Sequence, residues 1–196
     1  MKDSLIRHYD ALIEENNDPV LDPPSLRAYM DLWDGQPFLD ALELTGQENV
    51  LEIGVGTGRL AVRTALRCGS FTGIDLSPRT IARATEHLDP STTLITGDFL
   101  THPFQVQFDL IYSSLTFFHI EDKQAAADRV FQLLRPHGRF VLSISKSQDT
   151  VLDYGTRRLP LFPDTPEQMC RHLQIAGFHV NSITETEFAY IIQSHK

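Results

Sequence analysis

Glu52, three closely spaced glycines and Asp75 are the residues of this 196-residue chain whose types and spacing can do chemistry. Within "VLEIGVGTGRLA" (residues 50–61) an apolar run ends in Glu52, and Gly54, Gly56 and Gly58 follow at alternate positions. A strand that feeds a glycine-rich turn into a helix can hold a ligand between the strand's carboxyl edge and the helix N-terminus. The neighbours narrow the ligand. The dinucleotide fingerprint G-x-G-x-x-G calls for glycine at position 59, where this chain carries Arg59. The carboxylate of Glu52 repels a pyrophosphate and favours a cation. Asp75, closing "SFTGID", can accept both hydroxyls of a ribose. In "GDF", Asp98 can accept from an exocyclic amine, and Phe99 offers an apolar wall to a purine. Together these residues ask for adenosine at one end and positive charge at the other, with no phosphates between. S-adenosylmethionine fits that description.

These residues need elements to position them. From Asn49 onward, β-rich runs alternate with helical patterns. "NVLEI", "SFTGID", "LITGDF", "FDLIYSS" and "GRFVLSIS" read as strands; "GRLAVRTALRCG", "SPRTIARATEHL" and "EDKQAAADRVFQLL" read as the helices between them. Ser77-Pro78 supplies an N-cap with proline at the first helical position, and Gly69 and Gly138 read as helix stops. The alternation predicts right-handed βαβ crossovers and a parallel sheet covered on both faces. Residues 1–48 contain no convincing strand; "SLIRHYDALIEE" and "SLRAYMDLWDGQPFLDALEL" read as amphipathic helices joined by the loop "NNDPVLDPP". Downstream, "TPEQMCRHLQIAG" is a capped helix stopped by Gly177, and "FHVNSITETEFAYIIQS" is a hairpin turning at Thr184 to Thr186. The stretch "KSQDTVLDYGTRRLPLFPD" (146–164) reads as an irregular lid or substrate loop.

Composition limits the function classes. Hydrophobic residues make up 41% and charged residues 22%, as in an ordinary globular chain, and the formal net charge is −9. That charge argues against a broad phosphate-tracking surface, so nucleic acid is not the expected partner. Cys68 and Cys170 have no metal-ligand spacing and read as small apolar side chains of a reducing compartment; no metal is expected. No apolar run reaches the ~20 residues of a membrane span, and the first residues lack an apolar signal segment, so the expected location is cytoplasmic.

With these segments in order, the chain resembles the class I S-adenosylmethionine-dependent methyltransferases, in the small-molecule branch known as type 11 or 25. "VLEIGVGTGRLA", "GIDLSP", "GDF", "FDLIYSSLTFFHI" and "LLRPHGRFVLSI" carry the resemblance over about residues 49–145. It implies an α/β fold, a Rossmann-like three-layer sandwich with a mostly parallel seven-stranded sheet and an antiparallel C-terminal strand. Residues 1–48 would then form a helical cap on a methyltransferase domain of residues 49–196. The resemblance places Glu52 near the methionine moiety of the cofactor, with Gly54, Val55, Gly56 and Thr57 lining the loop beneath it and Gly58 completing that loop. It gives Asp75 to the ribose, Leu76 to the adenine face, and Asp98 and Phe99 to the adenine ring. Ser113 and Ser114 fall where the family's backbone faces the reactive methyl group.

Tyr9, Tyr29, Trp33 and Tyr154 lie in the segments expected to cover the cleft and read as an aromatic-lined substrate pocket. His119 could serve as a general base, or could pack and orient nearby backbone. "DPPS" (residues 22–25) differs from the Asp-Pro-Pro-aromatic loop that methylates nucleobase amino groups, because it joins two helices and ends in serine. The expected function is methyl transfer to a small-molecule acceptor by in-line displacement, releasing S-adenosylhomocysteine, by a monomer or homodimer. A protein or RNA methyltransferase, a catalytically silent cofactor-binding protein and a nicotinamide oxidoreductase are the alternatives, the last disfavoured by Glu52 and Arg59.

Overall fold

A computed structural model describes residues 2–196. The chain opens with helices α1 (Lys2–Glu14), α2 (Pro24–Asp34) and α3 (Gln36–Ala41) and then enters the first strand, β1 (Asn49–Ile53). A single helical turn α4 (Ala61–Thr64) leads to β2 (Ser70–Asp75), α5 (Pro78–His87) and β3 (Thr93–Thr96). β4 (Phe108–Ser114), α6 (Lys123–Leu133) and β5 (Leu134–Ser145) follow. A short hairpin, β6 (Val151–Asp153) with β7 (Arg158–Pro160), precedes α7 (Pro166–Ala176), β8 (His179–Glu185) and β9 (Ala189–His195).

The main sheet has the order β3-β2-β1-β4-β5-β9-β8. β1 pairs in parallel with β2 on one side and β4 on the other, and β9 runs antiparallel to both β5 and β8. The expected mostly parallel α/β sheet is therefore present, with β9 as the reversed strand. Because the chain leaves β1 in one direction and returns to β4 in the other, a crevice opens beyond the carboxyl ends of these two strands. The residues next to that switch point are those of the glycine loop.

Alternate residues of β1 serve opposite layers. Leu51 and Ile53 pack with Ala126, Val130, Met169 and Leu173 of α6 and α7, whereas Val50 joins Phe38, Leu42, Ile81 and Tyr112 on the other face. Strands buried on both faces read as near-continuous apolar runs, which is why "NVLEI" and "FDLIYSS" stood out. The caps at Ser77 and Thr165 form as the sequence indicates: Thr80 N donates to Ser77 Oγ at 3.0 Å, and Thr165 with Gln168 makes a capping box. Gly177 closes α7 with φ of 108°.

Several local expectations are corrected. The helix read over residues 25–44 is two helices, broken at Gly35, where an added Cβ would lie 2.6 Å from the Asp31 carbonyl oxygen. Pro37 sits in the first turn of α3, where its missing N–H is not needed, but it could not donate within a continuous helix. The helix read over residues 58–69 is only α4 and a 3-10 turn (Ala65–Arg67), so Gly69 is not its stop. There Thr64 Oγ1 donates back to the Leu60 carbonyl at 3.1 Å, a bond that bends helices. Gly138 lies within β5, because Pro136 disfavours helix at Arg135 and α6 ends at Leu133. Residues 146–164 contain the β6–β7 hairpin. The β8–β9 turn falls at residues 186–188, where Thr186 Oγ1 donates to Trp33 O at 3.1 Å and Phe188 N to Leu32 O at 3.1 Å. Contacts with α2, distant in sequence, set that turn.

Among the described residues, no helix is long and apolar enough to cross a membrane. The layer beneath α3 rests on Phe38, fully buried, whose ring centroid lies 5.9 Å from that of Tyr112. Phe38→Ala should lower stability by about 3–5 kcal/mol. Urea unfolding monitored by circular dichroism checks this, and a loss below about 1 kcal/mol would show that α3 contributes little to the sheet's packing.

Candidate functional site

At the end of β1 the backbone turns left-handed three times: φ is 75° at Gly54, 58° at Gly56 and 100° at Gly58. Only glycine adopts such angles without strain. The Gly54 and Val55 amides donate to the Ile74 carbonyl at 2.8 and 3.2 Å, laying the loop across the end of β2. A Cβ at Gly54 would lie 2.8 Å from Thr116 Cβ, whereas at Gly56 it would meet nothing within 4 Å. Gly54 is thus needed for close approach, and Gly56 for its backbone angle beside open space. Asp75 accepts from the Gly56 amide at 3.1 Å and the Ser77 amide at 3.0 Å, so its carboxylate is fixed at the strand end.

These elements enclose a cavity of about 340 Å³. Glu52 and the loop residues Gly54, Val55, Gly56 and Thr57 form one wall. Asp75 and Leu76 stand at the end of β2, and Asp98 and Phe99 after β3. Ser114, Tyr9 and His119 also line it. Gly58 does not; its α-carbon faces Leu88 instead. Ser113 is fully buried behind the wall and donates to the Ile53 carbonyl at 2.9 Å, which ties β4 to β1. Tyr154 sits one layer out, its ring 4.7 Å from that of His8. Tyr29 and Trp33 are not on the cavity wall: they pack against each other and Phe188, with Tyr29 48% exposed. α2 faces the cavity through Met30 instead.

The site's electrostatics follow from burial. Glu52 is fully buried, and loss of solvation pushes its carboxyl up to about 8. Tyr112 Oη, which donates to it at 2.8 Å, and the nearby Arg59 oppose that rise, while Asp34 and Asp75 reinforce it. Burial likewise raises Asp75 above the ordinary carboxylate range, against the backbone amides that hold it. His119 is driven down to about 4, chiefly by burial and then by His8, so its imidazole is neutral near pH 7. Its Nε2 lies 2.7 Å from the Tyr9 hydroxyl, whose own proton is held more tightly than in free tyrosine because the ring is desolvated.

Residues without a local sequence signal complete the site. Arg59 forks both terminal nitrogens onto the carboxylate of Asp34, with Nη1 to Oδ1 at 2.8 Å, and the Ser114 hydroxyl donates to the same carboxylate. Asp34 is fully buried, yet in sequence it is one acid near the end of an amphipathic helix. Lys2 pairs with Asp98 at the other end of the cavity. Asp10 accepts from Ser77 Oγ at 2.6 Å and from the Arg79 amide at 3.3 Å, while Arg157 grips Glu15 through two bonds of 2.6 and 2.7 Å. These contacts hold α1 across the cleft, with Leu5, Ile6 and Tyr9 turned to the cavity.

Comparison with known proteins agrees with this geometry. Residues 51–142 match the Methyltransf_11 family model, described as a methyltransferase domain. The uncharacterized methyltransferase YrrT of Bacillus subtilis (strain 168) is 35% identical over 119 residues, 59% of this chain and 54% of that protein. The chain thus spans about half the length of such curated relatives. Among solved structures, the DhpI–SAH complex superposes with a TM-score of 0.79 at 18% identity, covering 100% of this chain and 96% of that one. Magnesium protoporphyrin IX methyltransferase (ChlM) from Synechocystis PCC 6803 with bound SAM gives 0.76 at 14% identity, with coverage of 100% and 96%. Strand order and glycine loop agree with these likenesses: residues 51–142 are similar to the Methyltransf_11 methyltransferase domain, and the fold is the one seen in solved S-adenosylmethionine-dependent methyltransferases.

Proposed function

We propose that the chain transfers a methyl group from S-adenosylmethionine to a small-molecule acceptor. The observation that carries this reading is the cavity itself, at the β1/β4 switch point, with carboxylates from Glu52, Asp75 and Asp98 on its wall. A pyrophosphate would face these acids, whereas adenosine with a cationic tail complements them. Ile74, Leu76, Phe99 and Leu100 provide apolar surface for adenine. The donor set therefore fits the cofactor. Asp75 would hold the ribose hydroxyls, Asp98 the adenine amine, Glu52 the cationic end, and the glycine loop the backbone approach. When bound, S-adenosylmethionine supplies an electrophilic methyl group on its sulfonium.

The protein's remaining work is orientation and exclusion of water. α1 covers the cleft, and a cavity of about 340 Å³ suits a small ligand rather than a folded protein or an RNA duplex. ChlM, of like fold, is described as acting on magnesium protoporphyrin IX, a small molecule. The acceptor end, formed by Leu5, Ile6, Tyr9, Met30 and Ile120, is apolar. Its polar feature is the neutral Tyr9–His119 pair, which can hold an acceptor hydroxyl or amine and receive its proton. Ser113, hydrogen-bonded into the sheet, can contribute only backbone; Ser114 is engaged by Asp34.

Asp75→Ala should weaken S-adenosylmethionine binding by about 10–100-fold, the loss of hydrogen bonds to one charged group, and should also lower stability because the Gly56 and Ser77 amides lose their acceptor. Calorimetry checks this; equal affinity in the variant would remove Asp75 from the site. Methyl-tritiated cofactor given to a cell extract separates the acceptor classes: label should enter the low-molecular-weight pool, whereas label confined to precipitable protein or RNA would overturn the small-molecule reading.

A pH dependence follows from Glu52. Its raised carboxyl is mostly protonated below about 8 in the free protein, and a cationic ligand selects the ionised form. Affinity should therefore rise as pH increases from 6 to 8, approaching tenfold per unit, and level off above 8. Glu52→Gln should remove that component. Parallel calorimetric titrations of both proteins give the comparison, and coincident pH profiles would contradict it.

A further inference from the structure

The cavity wall holds an imbalance of charge that the methyl-transfer reading leaves unexplained. Among the described residues that line it, three are acidic and two are cationic, Lys2 and Arg59. Lys2 lies at the Asp98 end and is already paired with that carboxylate. A cofactor that is also an amino acid brings its own carboxylate, and that anion would enter the end of the cavity where Glu52 stands. There an unbalanced anion next to buried acids is unfavourable. Arg59 is the cation at that end.

Its geometry leaves it able to act. A guanidinium carries five N–H donors. The fork to Asp34 turns one N–H of each terminal nitrogen toward that carboxylate, leaving Nε–H and one N–H on each terminal nitrogen. The side chain keeps 17% of its surface accessible and lines the cavity, whereas Asp34 is fully buried behind it. Asp34 and the Ser114 hydroxyl therefore fix the guanidinium from behind. A planar fork held rigidly on one side and free on the other is suited to a second carboxylate.

We propose that Arg59, held by Asp34, is the anchor for the α-carboxylate of the cofactor's methionine moiety. This rests on the S-adenosylmethionine reading and extends it to a residue that the dinucleotide-type fingerprint would have made glycine. It also gives α2 a second function: Asp34 at its end sets the orientation of a cofactor-binding group, so acceptor helix and cofactor loop are positioned together.

The test compares S-adenosylmethionine with decarboxylated S-adenosylmethionine, which keeps the sulfonium and the amine, by calorimetry on the full chain. The wild type should favour the carboxylated ligand by at least about tenfold. Arg59→Met should bring the ratio to within about twofold while the decarboxylated ligand keeps its affinity within about threefold. A variant that weakens both ligands equally would show that Arg59 only supports the loop and would overturn the proposal. So would a wild type that binds both ligands alike. Should Arg59→Met not fold, Arg59→Gln decides: it keeps a hydrogen-bond donor toward Asp34 but no cation, so the preference should fall to within about twofold. An undiminished preference in Arg59→Gln would overturn the anchor. A wild type that binds neither ligand removes the cofactor reading itself, an outcome distinct from binding without carboxylate preference.

Discussion

The fork between Arg59 and Asp34 is the contact on which the site's arrangement depends. It joins the first turn after the glycine loop to the end of α2, two segments 25 residues apart, and Ser114 at the end of β4 donates to the same carboxylate. Three elements thus meet at one buried anion. Removing either partner from such a pair leaves an uncompensated charge and typically costs about 3–5 kcal/mol, although the intact pair need not add net stability over apolar residues of equal volume. Its value is in position. The glycine loop supplies a flexible backbone with three left-handed residues, and a rigid ion pair at its exit keeps that backbone from being merely permissive.

Around this fork the site holds charge in tension. Glu52 stands on the cavity wall with Tyr112 as its hydrogen-bond donor and Thr64 Oγ1 2.8 Å from the Tyr112 hydroxyl, a chain that reaches from α4 through β4 to β1. Burial pushes the carboxyls of both Glu52 and Asp75 up. What keeps Asp75 useful is the pair of amides from Gly56 and Ser77, which prefer to donate to an anion. The same left-handed turn at Gly56 that leaves open space for a ligand also points its amide at Asp75. One backbone angle therefore serves both the approach and the electrostatics.

How much of this the sequence disclosed depends on the range of the interactions. The α/β order, the glycine loop and the acids at strand ends were legible because each is a local pattern: an apolar run, a breaker, a polar residue at a fixed offset. The strand order itself comes from the structure; the sequence pattern only limits it, since parallel crossovers leave few ways to arrange such units. Asp34, Tyr112 and Lys2 were not legible, because what places them at the site is a partner dozens of residues away. Tyr29 and Trp33 show the converse. An aromatic pair on an amphipathic helix fixes which stripe is apolar but not what that stripe meets, and here it meets Phe188 from the β8–β9 turn. The break at Gly35 matters for the same reason, because it ends α2 directly after Asp34 and lets α3 go its own way into the core.

α1 links closure to chemistry. At 13 residues it is near the length below which isolated helices are marginal in water, so its structure depends on docking. The docking combines an apolar face of Leu5, Ile6 and Tyr9 with ion pairs near its ends that solvent screens. A cover held this way can release at a small fraction of the energy needed to unfold the sheet beneath it. When it is down, Tyr9 reaches His119 from the far side of the cavity, and each ring shields the other from water. Opening exposes that pair and separates its two members. The Tyr9–His119 contact therefore exists only while α1 is docked, and the helix that excludes water is the one that completes it.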